Sequence, residues 1–215
     1  MADDLNYGYK GADVPQSFGN NKGVFDPADI NNLVKDDKWT QYGQLELIQT
    51  QTISSGVSIV HFTDIKEDIY NVHFLTYNNI TFAPSGTTYI GYQLTEGGTL
   101  ETGNVYQYAY QFNSVTGGAG EVKSTGDNNM NIGIGTSYSM VFGGYSYLYN
   151  LGDSSKYSFG TGMTNVAQTG GTSFTSFYSS VLPQTSQVTQ IRFMNDLSEN
   201  FTAGSISLYG IKEYS

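Results

Sequence analysis

From residue 44 onward, short runs rich in Tyr, Phe, Val, Ile and Thr alternate with breaks rich in Gly, Ser and Asn. Within several runs the side chains change character at every step. Tyr106, Tyr108 and Tyr110 alternate with Gln107, Ala109 and Gln111. Successive side chains of an extended strand point to opposite faces, so this period puts the three tyrosines on one side. The runs cover 44–53, 57–63, 69–77, 88–95, 104–112, 130–135, 138–150, 157–159, 172–181, 188–194 and 205–212. About ten short strands with regular turn signals predict an all-β, jelly-roll-like β-sandwich.

Three local readings refine this. Ser54-Ser55-Gly56 reads as the turn of a hairpin between the first two runs. The echo of Val60-His61-Phe62 in Val72-His73-Phe74 suggests two neighbouring strands. Residues 114–129 carry no apolar alternation and read as a polar loop. In the last run, Ile206, Leu208 and Gly210 alternate with Ser207, Tyr209 and Ile211. Apolar residues on both faces mark a buried, central strand. Gly204 and Gly210 suit a bend or a close backbone approach at its ends.

Composition supports a folded chain with little reactive chemistry. Charged residues make up 13% of the 215 residues, while Gly (26), Tyr (18) and Phe (12) are abundant. Disorder needs the reverse balance, high charge with few aromatics. The absence of cysteine excludes disulfides and thiolate metal sites. A net charge of −10, with nine scattered basic residues, argues against nucleic-acid binding, which needs Lys and Arg to displace phosphate counterions. The N-terminal segment lacks an apolar signal core, and no run reaches the ~20 apolar residues of a membrane span. Synthesis in a cytoplasm and no membrane insertion are expected.

The N-terminal stretch differs from the rest. Residues 1–43 read as a docking arm, and residues 44–215 as the sandwich domain. Tyr7, Tyr9, Phe18, Val24 and Phe25 would be wasted in solvent and suit packing on a partner. Residues 26–38 predict the one helix. Asp26 is its N-cap, Pro27 fills the first position, and Asp29 favours the first-turn dipole. Ile30, Leu33 and Val34 make a narrow apolar stripe. Trp39 follows directly and would anchor the helix.

The C-terminal run Ile191-Arg192-Phe193 with Phe201 to Lys212, containing Leu208-Tyr209-Gly210-Ile211-Lys212, resembles a family of phage virion proteins frequent in marine cyanophages. The paired runs 57–63 and 69–76, the stretch 129–135, and the opening from Ser17 to Ile48 are similar as well. The resemblance spans about 17–212 and its motifs are structural. It implies a tail-fibre, baseplate or head-decoration protein, made in the host cytoplasm and carried on the virion. It implies partners among other virion proteins of tail, baseplate or capsid. It also implies a homo-oligomer, with a trimer among the options.

Catalytic signals are weak. His61 and His73 both fall inside strand runs, and no G-x-S-x-G elbow is present. The acidic residues cluster near the N-terminus or in turns, unlike paired carboxylates across a cleft. Asp127-Asn128-Asn129 and Asp64 with Glu67 and Asp68 read as ordinary turns rather than calcium loops. Gly133-Ile134-Gly135 lacks the third glycine and the helix of a dinucleotide site. No cofactor is expected and no enzymatic role is read. The suggestive feature is aromatic density: Tyr138, Tyr145, Tyr147, Tyr149 and Tyr157, then Phe174, Phe177 and Tyr178. Tyrosine offers contact area at low entropy cost with a polar tip. Three uses stand open: subunit packing, contact with a carbohydrate such as a host surface glycan, or a Tyr-rich core. The first makes a virion structural protein, the second a host-receptor recognition module.

Overall fold

A computed structural model describes residues 27–36, 45–82, 85–135 and 139–212. The chain divides into two compact units, Met1–Tyr42 and Gly43–Ser215. In the first, helix α1 spans Pro27–Lys35, with Asp29 in its first turn and Lys35 in its last. Asp36 continues as a turn, its N–H donating to Asn32 O at 2.9 Å. The expected helix reaches further, to residue 38. Its cap Asp26 and residues 37–38 lie outside the described residues, as do Tyr7, Tyr9, Phe18, Val24, Phe25 and Trp39.

The second unit is the expected all-β sandwich. In chain order its strands are β1 (Leu45–Ile53), β2 (Ile59–Phe62), β3 (Val72–Phe82), β4 (Thr88–Glu96), β5 (Thr99–Leu100), β6 (Tyr106–Ser114), β7 (Ala119–Asp127), β8 (Met130–Gly135), β9 (Met140–Tyr149), β10 (Ser158–Gln168), β11 (Ser173–Leu182), β12 (Val188–Asn195) and β13 (Phe201–Ile211). An eight-stranded sheet runs β1-β13-β3-β9-β10-β11-β6-β7. A smaller sheet runs β2-β12-β4-β5, with β8 also on β4. Every pairing is antiparallel.

Several local expectations are corrected. Strands β1 and β2 form no hairpin: β1 pairs with β13 in the large sheet, and β2 with β12 in the small one. The Ser-Ser-Gly break is an arch between sheets, pinned where Val57 and Phe201 exchange backbone hydrogen bonds of 3.0 and 2.8 Å. Turn residues mark a reversal but not which sheet receives the chain. Strands β2 and β3 likewise lie in different sheets, so the repeated Val-His-Phe does not mark neighbours, nor are the runs 57–63 and 69–76 a pair. The supposed loop 114–129 contains β7, an edge strand. It lacks an apolar alternation because it is only half covered. Its Glu121 and Lys123 are charges of the kind that guard open edges. Strand β10 runs to Gln168, well past the expected end at residue 159.

The terminal strand meets its expectation. Strand β13 is flanked on both sides, with Ile206, Leu208 and Gly210 buried. A Cβ on Gly210 would sit 2.3 Å from the Tyr70 ring, so only glycine admits that ring. Gly204 has φ +117° at an irregular register and lies against Asn79, which also explains its residue type.

The core lies between the two sheets. Phe193 of the small sheet is its hub, with ring centroids 5.4 Å from Phe201, 5.6 Å from Tyr92, 5.9 Å from Tyr77 and 6.1 Å from Phe142. Beside it, three phenols converge on one serine. Tyr92 Oη lies 2.6 Å and Tyr77 Oη 3.2 Å from Ser146 Oγ, and Tyr178 donates to the same oxygen. A serine hydroxyl accepts two hydrogen bonds and donates one. Tyr92 and Tyr178 can donate to it while it donates to Tyr77, whose own proton goes to Tyr145 O at 3.1 Å. Burial pushes all three phenols up, which keeps them protonated as donors.

Candidate functional site: the outward face of the large sheet

An antiparallel sheet with one face on the core normally turns polar residues to water on the other. The large sheet departs from this. Its register aligns Leu47, Tyr209, Phe74, Tyr147, Thr161, Ser179, Ala109 and Lys123 in one row across all eight strands. The next row holds Leu45, Ile211, Val72, Tyr149, Phe159, Val181 and Gln107. On the other side lie Thr50, Ser207, Thr76, Tyr145, Met163, Phe177, Gln111 and Glu121. Side chains at these positions share the face opposite the core, since their strand neighbours Leu75, Ser146, Leu148, Tyr178 and Leu208 are buried.

The face has two halves. Over β1, β13, β3 and β9 it forms an aromatic ridge. Phe74 sits at its centre, 4.7 Å from Tyr147, 6.0 Å from Tyr145 and 6.1 Å from Tyr209 by ring centroids. Tyr147 also meets Tyr145 edge-on at 5.9 Å and stacks with Tyr149 at 6.4 Å. Leu47, 60% exposed, and Leu45 extend the ridge to the β1 edge. Over β10, β11 and β6 the middle row shrinks to Thr161, Ser179 and Ala109, with Lys123 ending it on β7. Here the face sinks into a depression of about 730 Å³ lined by Gln107, Ala109, Lys123, Thr125, Phe159, Ser179 and Val181, among others. A second hollow of about 310 Å³ adjoins it, lined by Gln111, Glu121, Lys123, Phe177 and Ser179, among others. The two share Ala109, Lys123 and Ser179 and together make a trough open at β7. Lys123 and Glu121 pair at 2.6 Å, so the only charges at the trough cancel.

The structure therefore brings Tyr145, Tyr147 and Tyr149 together on the ridge. Tyr157 is exposed in the turn before β10, beyond the paired ladder. Tyr138 lies outside the described residues. Of the second aromatic group, Phe177 points outward at 54% exposure, Phe174 meets Phe112 at the core margin, and Tyr178 is inward. The sequence reading missed Phe74, Tyr209, Leu45, Leu47 and Phe159. Alternation puts each on a face of its own strand. Only the strand order β1-β13-β3-β9 makes those faces one surface.

Several titratable groups outside this face have structural partners. His73 is fully buried and its Nε2 lies 2.7 Å from Ile65 O. Burial lowers its pKa, and the hydrogen bond to Ile65 offsets this in part. His61 pairs across the ladder with Arg192; burial and then that guanidinium lower its pKa. Glu96 is raised by burial and by the nearby Glu101. Ser186 donates to Glu96, while Glu101 accepts from Gly103 N at 2.6 Å and Gln184 Nε2 at 3.1 Å. These bonds tie the β4–β5 hairpin to the segment before β12. Asp127 accepts from Tyr108 Oη at 3.0 Å, with the Tyr108 phenol pushed up to about 12 by burial and by that carboxylate. Asp64 pairs with Lys66 at 2.9 Å, and Asp68 accepts from Gln187 at 2.8 Å. Among the described residues no cluster of three or more His, Asp or Glu side chains could hold a metal ion. No helix among them is long and apolar enough to cross a membrane.

No family model and no curated protein matches the chain. Among solved structures it has faint likenesses to an alginate lyase from Alteromonas sp. 272 (11% identity, 88% of this chain and 97% of that one, TM-score 0.25). Another is the catalytic domain of an endo-1,3-beta-glucanase (laminarinase) from Thermotoga petrophila RKU-1 (8% identity, 80% and 100%, TM-score 0.16). At these TM-scores neither likeness carries an argument.

Proposed function

We propose that this protein is a non-enzymatic structural component of a bacteriophage particle, of the tail-fibre, baseplate or head-decoration type, and that it works by contact area. The observation that carries this reading is the aromatic ridge. Phe74 meets Tyr145, Tyr147 and Tyr209, and Tyr145 meets Tyr147, on a sheet face turned away from the core. Contiguous apolar surface rimmed by polar residues marks interaction sites. Tyrosine-rich patches favour protein partners because they bury large area with few rotors to freeze. The ridge carries no charge in its central row, so a second copy can approach it despite the chain's net charge of −10. Assembly of copies through the ridge, and attachment of the assembly to other virion proteins through residues 1–43, follow from this reading.

The test is assembly and incorporation. Tyr147→Ser with Tyr209→Ser should keep the sandwich folded, shift the protein to monomer in sedimentation velocity, and reduce its uptake into particles. An unchanged oligomer with unchanged incorporation would end the proposal.

A further inference from the structure

We propose that the trough over β10, β11, β6 and β7 is a binding groove for an uncharged polysaccharide chain, a function separate from assembly through the ridge.

The groove's dimensions come from the register. Phe159 and Val181 lie in one row, Met163 and Phe177 in the row four residues away on the same strands. At about 3.3 Å per residue these walls stand about 13 Å apart along the strands. Between them Ser179 and Ala109 line both hollows, with Thr161 beside them in the same row on β10 and Lys123 beyond on β7. Ser179 and Ala109 carry short side chains, so the depression follows from residue size. Phe159 is 43% exposed and Phe177 54%, leaving ring surface free for contact on both walls. The main hollow, about 730 Å³, falls within the range of ligand sites.

Charge selects the occupant. Lys123 and Glu121 neutralise each other at 2.6 Å, and no other ionisable side chain lines either hollow except buried or half-covered tyrosines. The chain as a whole carries −10. An anionic ligand would therefore meet repulsion with no free cation to hold it, and a cationic one would find no free carboxylate in the groove. What the groove does offer is amides and hydroxyls, from Gln107, Gln111, Ser179 and Thr125, next to exposed aromatic plates. A neutral ligand with apolar faces and hydrogen-bonding edges fits that mixture, and sugar rings have both. A peptide strand fits worse. The trough crosses the face of the sheet, where the ladder already uses the backbone donors and acceptors that strand addition requires.

Affinity electrophoresis of the full chain tests this, in gels containing cellulose derivatives without charge, mannan, agarose or dextran, with polygalacturonate as the acidic comparison. At least one neutral polysaccharide should retard the protein, and polygalacturonate should not. Phe159→Ser should weaken retardation about tenfold, the worth of one aromatic contact. Ser179→Trp fills the floor and should abolish it. Thermal melts confirm that each variant folds. Retardation that survives Ser179→Trp in a folded protein, retardation by polygalacturonate alone, or none by any neutral polysaccharide would overturn the proposal. The ridge variant Tyr147→Ser/Tyr209→Ser separates the two functions. It should keep its retardation while losing assembly, so failure of the groove and failure of the ridge give different results.

Discussion

Strand β9 presents tyrosine to water and serine to the core, one residue apart. Tyr145, Tyr147 and Tyr149 point outward, and Ser146 and Leu148 point inward. Beneath the sheet lie three other tyrosines, Tyr77, Tyr92 and Tyr178, all buried. The inward phenols close a hydrogen-bonded cluster on Ser146, and their burial pushes their pKa values up. The outward ones lie ring against ring, half-covered by each other and by Phe74. One residue type thus serves two purposes on opposite faces of one sheet. Inside, the hydroxyl sets how the sheets seat on each other. Outside, the ring supplies area and the hydroxyl keeps the surface soluble. Stability should therefore depend on the inner set, and association on the outer.

The sharpest way to break this division is to empty the inner hub. Phe193 touches four other rings and is fully buried. Phe193→Ala should cost about 3–5 kcal/mol in urea unfolding, the usual range for deleting a buried ring. A smaller loss would mean the sheets collapse around the gap. Next is the cluster itself. Ser146→Ala removes the acceptor of two buried phenols and the donor to a third. Leaving buried donors unmet costs about 1–3 kcal/mol. Tyr178→Phe in the same background should recover part of this, because it removes one of the stranded donors. A double-mutant cycle measures the recovery, and additive effects would show that the three phenols do not act as a unit.

The same contrast explains how far the sequence could be read. Alternation in Tyr106–Tyr110 was sufficient to put the three tyrosines on one side, and apolar residues on both faces of the last strand marked it as central. Alternation failed where small residues serve space rather than turns. Strand β10 reads as ending near Phe159 because Gly160 and Gly162 follow. In the structure Gly162 makes room for a phenol: a Cβ there would lie 2.7 Å from Tyr178 Oη and 2.1 Å from Tyr145 O. Strand β7 was unreadable for the opposite reason. Its polar, charged sequence is that of an exposed edge, which resembles a loop. The candidate site was legible only in part. Tyr145, Tyr147 and Tyr149 declared a surface by spacing within one strand. Phe74 and Tyr209 join them from residues far off in sequence, through pairings that no local pattern encodes. The trough was invisible because its floor is made of what is small, Ala109 and Ser179, on two strands.

Acidification probes the inner face by another route. His73 is buried, and desolvation chiefly holds its pKa below the 6.5 of a free imidazole. A histidine whose folded pKa is depressed binds fewer protons folded than unfolded. Its neutral form contributes fully above pH 6.5, and that stability is lost as the pH falls below 6.5. His61 shifts in the same direction. Glu96, raised by burial and Glu101, acts in the opposite sense, gaining stability as it protonates. Unfolding free energy measured from pH 7.5 to 5 should therefore decline, and His73→Gln should flatten the decline more than His61→Gln does. Equal flattening by the two would place the exposed and the buried histidine on the same footing, against the division drawn here.

The smallest expected change is also the most discriminating. Phe74 has three aromatic neighbours, as close a set as many core rings, yet all of them lie on the outward face. If ring contacts alone gave stability, Phe74→Thr would behave like a core deletion. If the division between faces holds, threonine, a good strand residue on a solvent-facing position, should lower the monomer's unfolding free energy by only about 1–2 kcal/mol, well short of Phe193→Ala. The ring's contacts with Tyr145, Tyr147 and Tyr209 are worth roughly 0.5–1.5 kcal/mol each at best. Tyr145 and Tyr147 still touch one another after the change, and water reaches the site rather than a void opening. The comparison must be made at protein concentrations where the chain is monomeric, since association through the ridge would add its own stabilisation to the wild type. A loss near that of Phe193→Ala under monomeric conditions would show that the ridge is a second core rather than a contact surface.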